Sequence, residues 1–522
     1  MGAVAEAYSI SMPTASATVN RLISREMVAA SDHAGDKRRL ALFATKSGAA
    51  IERRASAKAR EAVTQRVVGL SGCLQPSARR CSMEPGSLPR PFHRSPLRAA
   101  HAGSTTYLFT HRRGVRTAGR TDRSPLHRKT QTMNASVDQT YKIIDCDTHL
   151  TEPHDLWISR APAKWKDLVP QVKNVDGKPH WVYEGDQILA TTRASSVIRP
   201  DLSKGYGTVG LNFTYDMVHP ASYDIKERVK FMDQTGTWAQ LLYPNLMGFS
   251  GLKAPGKDPK LKTVCVQIYN EALAEFQEQS GQRLFGMALL PWWNIDETVA
   301  EIKRCHEMGL RGVNTNPNPQ QQGFPGLAED AWAPVLDLCG EIGMPINFHI
   351  GSSEDQLDWF GSVPWSTHSD DIKLSIGSAT LHMQNASVLT NLLMSHIPER
   401  FPKTKFASVE SGVGWIPFLL EALDYYVSNE VPKEARAKFK LLPSERFRRQ
   451  FYACFWFENK SMKDSIRQVG EDNVLYESDF PHPTCLYPNA VQRTLEGLKD
   501  VDPAVVKKVM STNAAKLYNI PI

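Results

Sequence analysis

The chain has 522 residues, more than one ordinary domain requires, and its 41% hydrophobic content with 11 Trp allows a large core. Its formal charge of +7 is unevenly placed: residues 1–132 hold 23 Lys+Arg against 8 Asp+Glu, a net of +15, so the remainder carries −8. The larger part is therefore mildly acidic, which argues against nucleic acid as its partner. No stretch approaches the length of an apolar membrane span, and no charged start followed by an apolar run marks a secretory leader. The 8 Cys form no CxxC pair and mostly sit in apolar surroundings, as expected of free thiols in a reducing, cytoplasmic compartment.

In residues 8–65, Pro13–Thr14 can open a helix, SATVNRLISREMV is amphipathic, and DHAGDKRRLALF reads as a charged hairpin tip leading into a strand. MPTASATVNRLISREMV and GDKRRLALFATKSGAA resemble the recognition helix and wing of a MarR-type winged helix. The match covers only about 55 residues, and a unit that small has little core of its own. Residues 1–66 are thus expected to be a partial winged-helix-like segment, and nucleic-acid binding is not expected of it. Residues 67–132 are rich in Ser, Pro, Arg, Thr and Gly with almost no apolar periodicity, the composition of a disordered basic linker. Met133 then opens a segment that reads like an ordinary protein start, which makes residues 1–132 an upstream extension with little part in the chemistry.

From Ile143 onward, short strand-like runs alternate with longer helical patterns. The runs begin with IIDCDTH and continue as WAQLLYP, RLFGMALLP, GLRGVNTNP, PINFHIG, KTKFASVES, FYACFWFE and NVLYESDFP. Eight strand candidates in a βα repeat predict an α/β fold, a (β/α)₈ TIM barrel with loop insertions over residues 133–522. A doubly wound sheet would call for a glycine-rich loop after an early strand, and there is none. Residues 158–235 and 352–385 carry no clean repeat and are expected as excursions over the barrel mouth.

Barrel active sites lie at the C-terminal ends of the strands. Asp147 and His149, two apart on an extended run, point to one side and make half of a divalent-metal site. The fifth strand ends in Asn347–Phe348–His349, the sixth in Val409–Glu410–Ser411, and the eighth in Glu477–Ser478–Asp479. Two His and several carboxylates delivered to one rim favour a metal centre over isolated core histidines.

The pieces IIDCDTHLTEPHDLW, YNEALAEFQEQSGQRLFGMALLP, MGLRGVNTNP, PINFHIG, ERFPKTKFASVESGVGWIPFLLEALD and YESDFPHP, in this order, resemble the amidohydrolase-related proteins of the aminocarboxymuconate-semialdehyde decarboxylase type. The resemblance implies one divalent ion, zinc foremost and manganese or iron as alternatives, with Asp147, His149, His349 and Asp479 as ligands. It also implies a small-molecule substrate and a homodimer. Where those decarboxylases carry a catalytic His at the end of strand six, this chain has Glu410. The first reading is therefore a hydrolase of an ester, amide, lactone or thioester bond in a bulky or aromatic acid derivative. Asp479 would be its proton acceptor, Glu410 would orient the water or share base duty, and His482 would orient Asp479 or line the pocket. The alternatives are a metal-dependent, non-oxidative decarboxylase of an aromatic or enol-type acid, with Glu410 as the acid, and an effector-binding barrel fused to a DNA-binding segment. Trp359, Phe360, Trp365 and Phe213 are candidates for a bulky apolar pocket, and Arg193 and Arg199 for an anion clamp.

Overall fold

The computed structural model describes residues 28–33, 36–44 and 141–522, apart from 186, 252, 255, 257, 354–364 and 366. The chain divides into two units, Met1–Asp122 and Arg123–Ile522. In the first, β1 (Val28–His33) and β2 (Asp36–Ala44) pair antiparallel, the hairpin expected around GDKRRLALF. The helices expected on either side of it, and the linker 67–132, lie outside the described residues.

In the second unit, eight parallel strands follow one another around a barrel: β3 (Ile144–His149), β7 (Ala239–Tyr243), β8 (Leu284–Leu289), β9 (Gly312–Asn314), β10 (Ile346–His349), β11 (Phe406–Val409), β12 (Phe451–Phe455) and β13 (Val474–Tyr476). Each lies inside, or all but one residue inside, a run expected as a strand. Every residue of β3, β7, β8, β10 and β11 is buried. Parallel strands covered on both faces bury the side chains of both, so the burial does not alternate along them. One apolar cluster joins the strands to the surrounding helices. A second draws Ile144, Leu241, Phe285, Val409, Cys454 and Leu475 together with Leu517 and Tyr518, and this one fills the barrel interior.

The barrel closes between its first and last strands. Thr148 pairs with Phe480 in a parallel bridge. The His149 amide donates to the Phe480 carbonyl at 2.8 Å and the Asp479 amide to the Asp147 carbonyl at 2.9 Å. Beneath this seam the Asp145 carboxylate accepts from the Ser478 amide at 2.8 Å and the Ser478 hydroxyl at 2.5 Å, with Gln240 Nε2 at 3.4 Å. In β3 an extra residue sits between Asp145 and Thr148 relative to β7. That bulge re-aims the strand, as bulges beside active sites do. Asp145 is left to bond Ser478 and Gln240, while Asp147 and His149 face the barrel mouth.

The excursion between β3 and β7 has regular structure that its sequence pattern did not announce. β4 (Gln171–Val175), β5 (Lys178–Tyr183) and β6 (Gln187–Thr191) form an antiparallel meander. Its strands are short and mostly half-exposed, so their alternation is weak. The turn signal was present, however. Asp176 and Gly177 form a two-residue hairpin loop with both φ positive, at 52° and 80°, the backbone for which Asp-Gly is preferred. Further along, Val197, Ile198 and Ala221 pack on Phe480 and Cys485, so the excursion leans on the chain just past β13.

Asp145 makes a direct test of the closure. Asp145→Ala leaves two buried Ser478 donors without an acceptor and should cost about 3 kcal/mol. Asp145→Asn keeps one acceptor and should cost less. Urea unfolding followed by tryptophan fluorescence measures both, and equal midpoints for the Ala variant and wild type would show that the seam holds without this carboxylate.

Candidate active site

The four strand ends singled out in the sequence meet at one place. Asp147, His149, His349 and Asp479 are all fully buried and Glu410 is 4% exposed. His149 Nε2 lies 3.5 Å from Asp147 Oδ1 and 3.4 Å from Asp479 Oδ1. His349 Nε2 lies 3.4 Å from Asp147 Oδ1 and 3.5 Å from Glu410 Oε2. Donors held about 2.1 Å from a tetrahedral zinc-like ion stand about 3.4 Å apart, so these separations are those of a coordination shell. Both oxygens of Asp147, both nitrogens of His149 and Nε2 of His349 are buried without a hydrogen-bond partner among the described residues. Orphaned buried groups of this kind are rare unless something else satisfies them. The set fits one divalent cation.

Electrostatics point the same way. Burial, reinforced by the charges of Asp479 and Asp145, pushes the Asp147 carboxyl well above the usual range. Burial pushes Glu410 up as well, with the charges of Asp479, Asp147 and Glu477 adding to it. A cation would offset the repulsion among these carboxylates, while burial, the larger cause at Glu410, would remain. Burial also lowers His149, and lowers His349 to about 4, so both rings are neutral. His349 Nδ1 faces the Ile350 carbonyl at 2.8 Å and donates to it, which turns the Nε2 lone pair toward the cluster. Asp479 goes the opposite way: burial is outweighed by the charge of His482 and by the close approach of His482 and His149, which hold it well below the carboxylate range.

His482 lies beside Asp479 rather than loose in the loop. Its Nδ1 is 3.1 Å from Asp479 Oδ1, its Nε2 is 2.8 Å from Asn245 Oδ1, and its ring stacks on His149 at 3.6 Å. The Thr484 hydroxyl donates to Asp479 Oδ2 and lies 3.4 Å from Glu410 Oε1. Glu410 and Asp479 both hold left-handed backbone, with φ of 52° and 57°. Such strain in non-glycine residues persists where surrounding contacts over-determine it. The Glu410 amide is held by Glu477 Oε2 at 3.0 Å. Behind it, Glu458 Oε1 accepts from the Val413 and Gly414 amides at 2.6 and 2.7 Å. A Cβ on Gly412 would meet that carboxylate at 2.7 Å, which explains the glycine there.

Several supporting residues were not anticipated. Arg228, fully buried on the helix Ile225–Thr235, reaches the His149 carbonyl and the Ala221 carbonyl, each at 2.5 Å, and Gln240 Oε1 at 3.1 Å. The signal lay in its spacing, three after Ile225 and four before Met232 on the core-facing stripe of the helix. Asn245 gave no such signal, while Glu477 was marked only by its place in the polar end of the eighth strand. Other expectations need correction. Phe213 is core, packed with Ala194 and Val218, and Trp365 is 75% exposed. Arg199 bonds Ser203 and the Lys204 carbonyl and lies over Phe213, so it builds its own loop. Arg193 lines a surface groove with Lys178 and His180, away from the cluster. Trp359 and Phe360 lie outside the described residues.

The amidohydrolase family profile matches residues 144–520. The 2-amino-3-carboxymuconate-6-semialdehyde decarboxylase of Dictyostelium discoideum is 19% identical over 265 residues, 49% of this chain and 66% of that protein, just under two thirds of its length. Among solved structures, an amidohydrolase from Mycobacterium avium subsp. paratuberculosis K-10 superimposes with a TM-score of 0.56 at 20% identity, over 74% of this chain and 99% of that one. A 5-carboxyvanillate decarboxylase from Novosphingobium aromaticivorans, solved with manganese and 4-hydroxy-3-methoxy-5-nitrobenzoic acid, gives 0.52 at 18% identity, over 75% and 99%. With its eight-stranded barrel, its buried Asp/His cluster and this match across most of its length, the chain belongs to the amidohydrolase family of metal-dependent enzymes.

Proposed function

We propose that residues 133–522 form a metal-dependent, non-oxidative decarboxylase of a small hydroxyaryl or enol-type carboxylic acid, with zinc as the first choice of ion and manganese or iron as alternatives. This reverses the order of the two readings drawn from the sequence. The observation that carries it is the position of Glu410, a buried carboxyl at the edge of the Asp147, His149, His349 and Asp479 cluster, where burial and the charges of Asp479 and Asp147 raise it above the usual carboxylate range. Hydrolysis needs a base free to take a proton, and both oxygens of Asp479 are already engaged, Oδ1 beside His482 and Oδ2 by the Thr484 hydroxyl. Decarboxylation needs an acid to place a proton on the carbon that loses CO₂, and Glu410 suits that task. The decarboxylases among the similar proteins support the same choice.

A divalent ion bound by Asp147, His149, His349 and Asp479 would supply Lewis acidity for the oxygens of the substrate. The protein groups do the rest. Glu410, its Oε2 at 3.5 Å from His349 Nε2, stands at the edge of that shell. As the bond between the ring or enol carbon and the carboxylate breaks, CO₂ leaves and the electron pair left on carbon takes the Glu410 proton. Water then reprotonates Glu410. His482 and Thr484 fix Asp479, and Glu477 fixes the backbone of Glu410. Phe418, Tyr425 and Tyr426, 55–79% exposed on the helix Ile416–Asn429, support a homodimer as the working unit.

Five measurements test this. The purified chain, metal-loaded, is given hydroxybenzoates with CO₂ followed, and separately aryl esters, lactones and thioesters; hydrolysis without CO₂ release would sink the reading. Glu410→Gln should keep the metal and lose about 10²- to 10⁴-fold in kcat. Because Glu410 acts as an acid with a raised pKa, kcat should fall as pH rises through that value, and the Gln variant should lack this alkaline limb. His349→Ala should lose the ion by elemental analysis, while Arg228→Met, which frees the His149 carbonyl, should weaken metal affinity about 10- to 100-fold in chelator competition.

A further inference from the structure

His382 carried no spacing that marked it in the sequence, but its surroundings are unusual. It opens the short 3₁₀ turn His382–Gln384, which leads directly into the helix Asn385–Met394. Asn385, three residues on, is buried, and its Nδ2 lies 2.9 Å from the Phe348 carbonyl, 3.1 Å from Ser408 Oγ and 3.4 Å from the Val409 carbonyl. Phe348 and Val409 immediately precede His349 and Glu410. The turn is thus pinned to the two strand ends that carry site residues. Side chains three apart in a 3₁₀ turn lie on the same side, so His382 faces the same way as Asn385.

The imidazole lies against the residues that follow β12. It meets Trp456 edge-on at 4.9 Å and Phe457 at 5.4 Å and 29°. Trp456 is buried, whereas Phe457 is 43% exposed. His382 Nε2 is itself buried and has no hydrogen-bond partner among the described residues. Burial lowers the ring to about 4 against the opposing charge of Asp479, so it is neutral and within electrostatic reach of the metal cluster. A buried Nε2 left unpartnered beside an exposed aromatic face at the barrel mouth costs stability unless a ligand completes it.

We propose that His382 is a specificity-determining residue whose Nε2 hydrogen-bonds a ring hydroxyl of an aromatic acid substrate, with the substrate ring alongside Phe457. A hydroxyl is favoured over a second carboxylate because the neighbouring charges are negative. It also both donates and accepts, so it matches either tautomer of the ring. The substrate class rests on the decarboxylase reading; the hydroxyl contact does not depend on turnover.

The test is calorimetric binding of 2-hydroxybenzoate and of the dihydroxybenzoate isomers to the metal-loaded full chain. Wild type should prefer its best dihydroxy isomer about 10- to 100-fold. His382→Leu, similar in size but unable to hydrogen-bond, should bind 2-hydroxybenzoate normally and bring the preference below about 3-fold. His382→Gln, which keeps a polar atom near Nε2, should retain most of it. Should the Leu variant not fold, His382→Asn, whose amide falls short of Nε2, should show the same loss. Absence of preference in wild type, no binding of any isomer, or preference kept by the Leu and Asn variants would each overturn the assignment. Preference in wild type without CO₂ release would leave His382 standing and remove the decarboxylase reading instead.

Discussion

A cluster of carboxylates buried away from water, with no Lys or Arg against it, is the constraint that the rest of this structure serves. Among the described residues, the contacts of Asp147, Asp479 and Glu410 are to imidazoles, hydroxyls and backbone amides. Leaving such charges unpaired in a low-dielectric interior costs several kcal/mol per ion. Two responses are visible. Burial raises the proton affinity of Glu410, and the imidazole of His349 turns a lone pair inward to receive a cation. The same arrangement makes metal binding and folding partly one process.

The barrel makes this constraint tolerable by holding the donors on strands that close on one another. Closure at the seam sets Asp147 and His149 beside Asp479, because their backbones bond across it. The bulge in β3 separates the carboxylate that ties the seam, Asp145, from the one that faces the site, Asp147. Arg228 then fixes the last carbonyl of β3 from outside the barrel. Position in the site thus comes from backbone geometry, with side-chain contacts limiting rotation.

Much of this was legible because it depends on local pattern. Short strand-like runs alternating with helical patterns marked all eight strands, and the polar ends of four of them marked Asp147, His149, His349, Glu410 and Asp479. What was missed depends on contacts between distant segments. Arg228 sits 79 residues from the carbonyl it holds. Asn245 meets His482 across 237 residues, and nothing near it in the chain announces that. The meander β4–β6 was missed for another reason: its half-exposed strands alternate weakly, and its Asp-Gly turn was the one clear sign. The order of hydrolase and decarboxylase depended on the protonation of Glu410, a property of three converging strand ends rather than of residue 410 alone.

The left-handed backbone at Glu410 and Asp479 also bears on how such a site can drift over generations. Few residue types accept that conformation; β-branched and bulky ones are penalised, while Asn, Asp and His are enriched there. Exchange at residue 410 is therefore channelled toward small polar and imidazole side chains whatever reaction is under selection. A lineage can trade a carboxyl for an imidazole at this point without rebuilding the loop, since Glu477 and Glu458 hold its backbone rather than its side chain. The chemistry of the barrel can thus change at a single codon while its metal cluster stays in place.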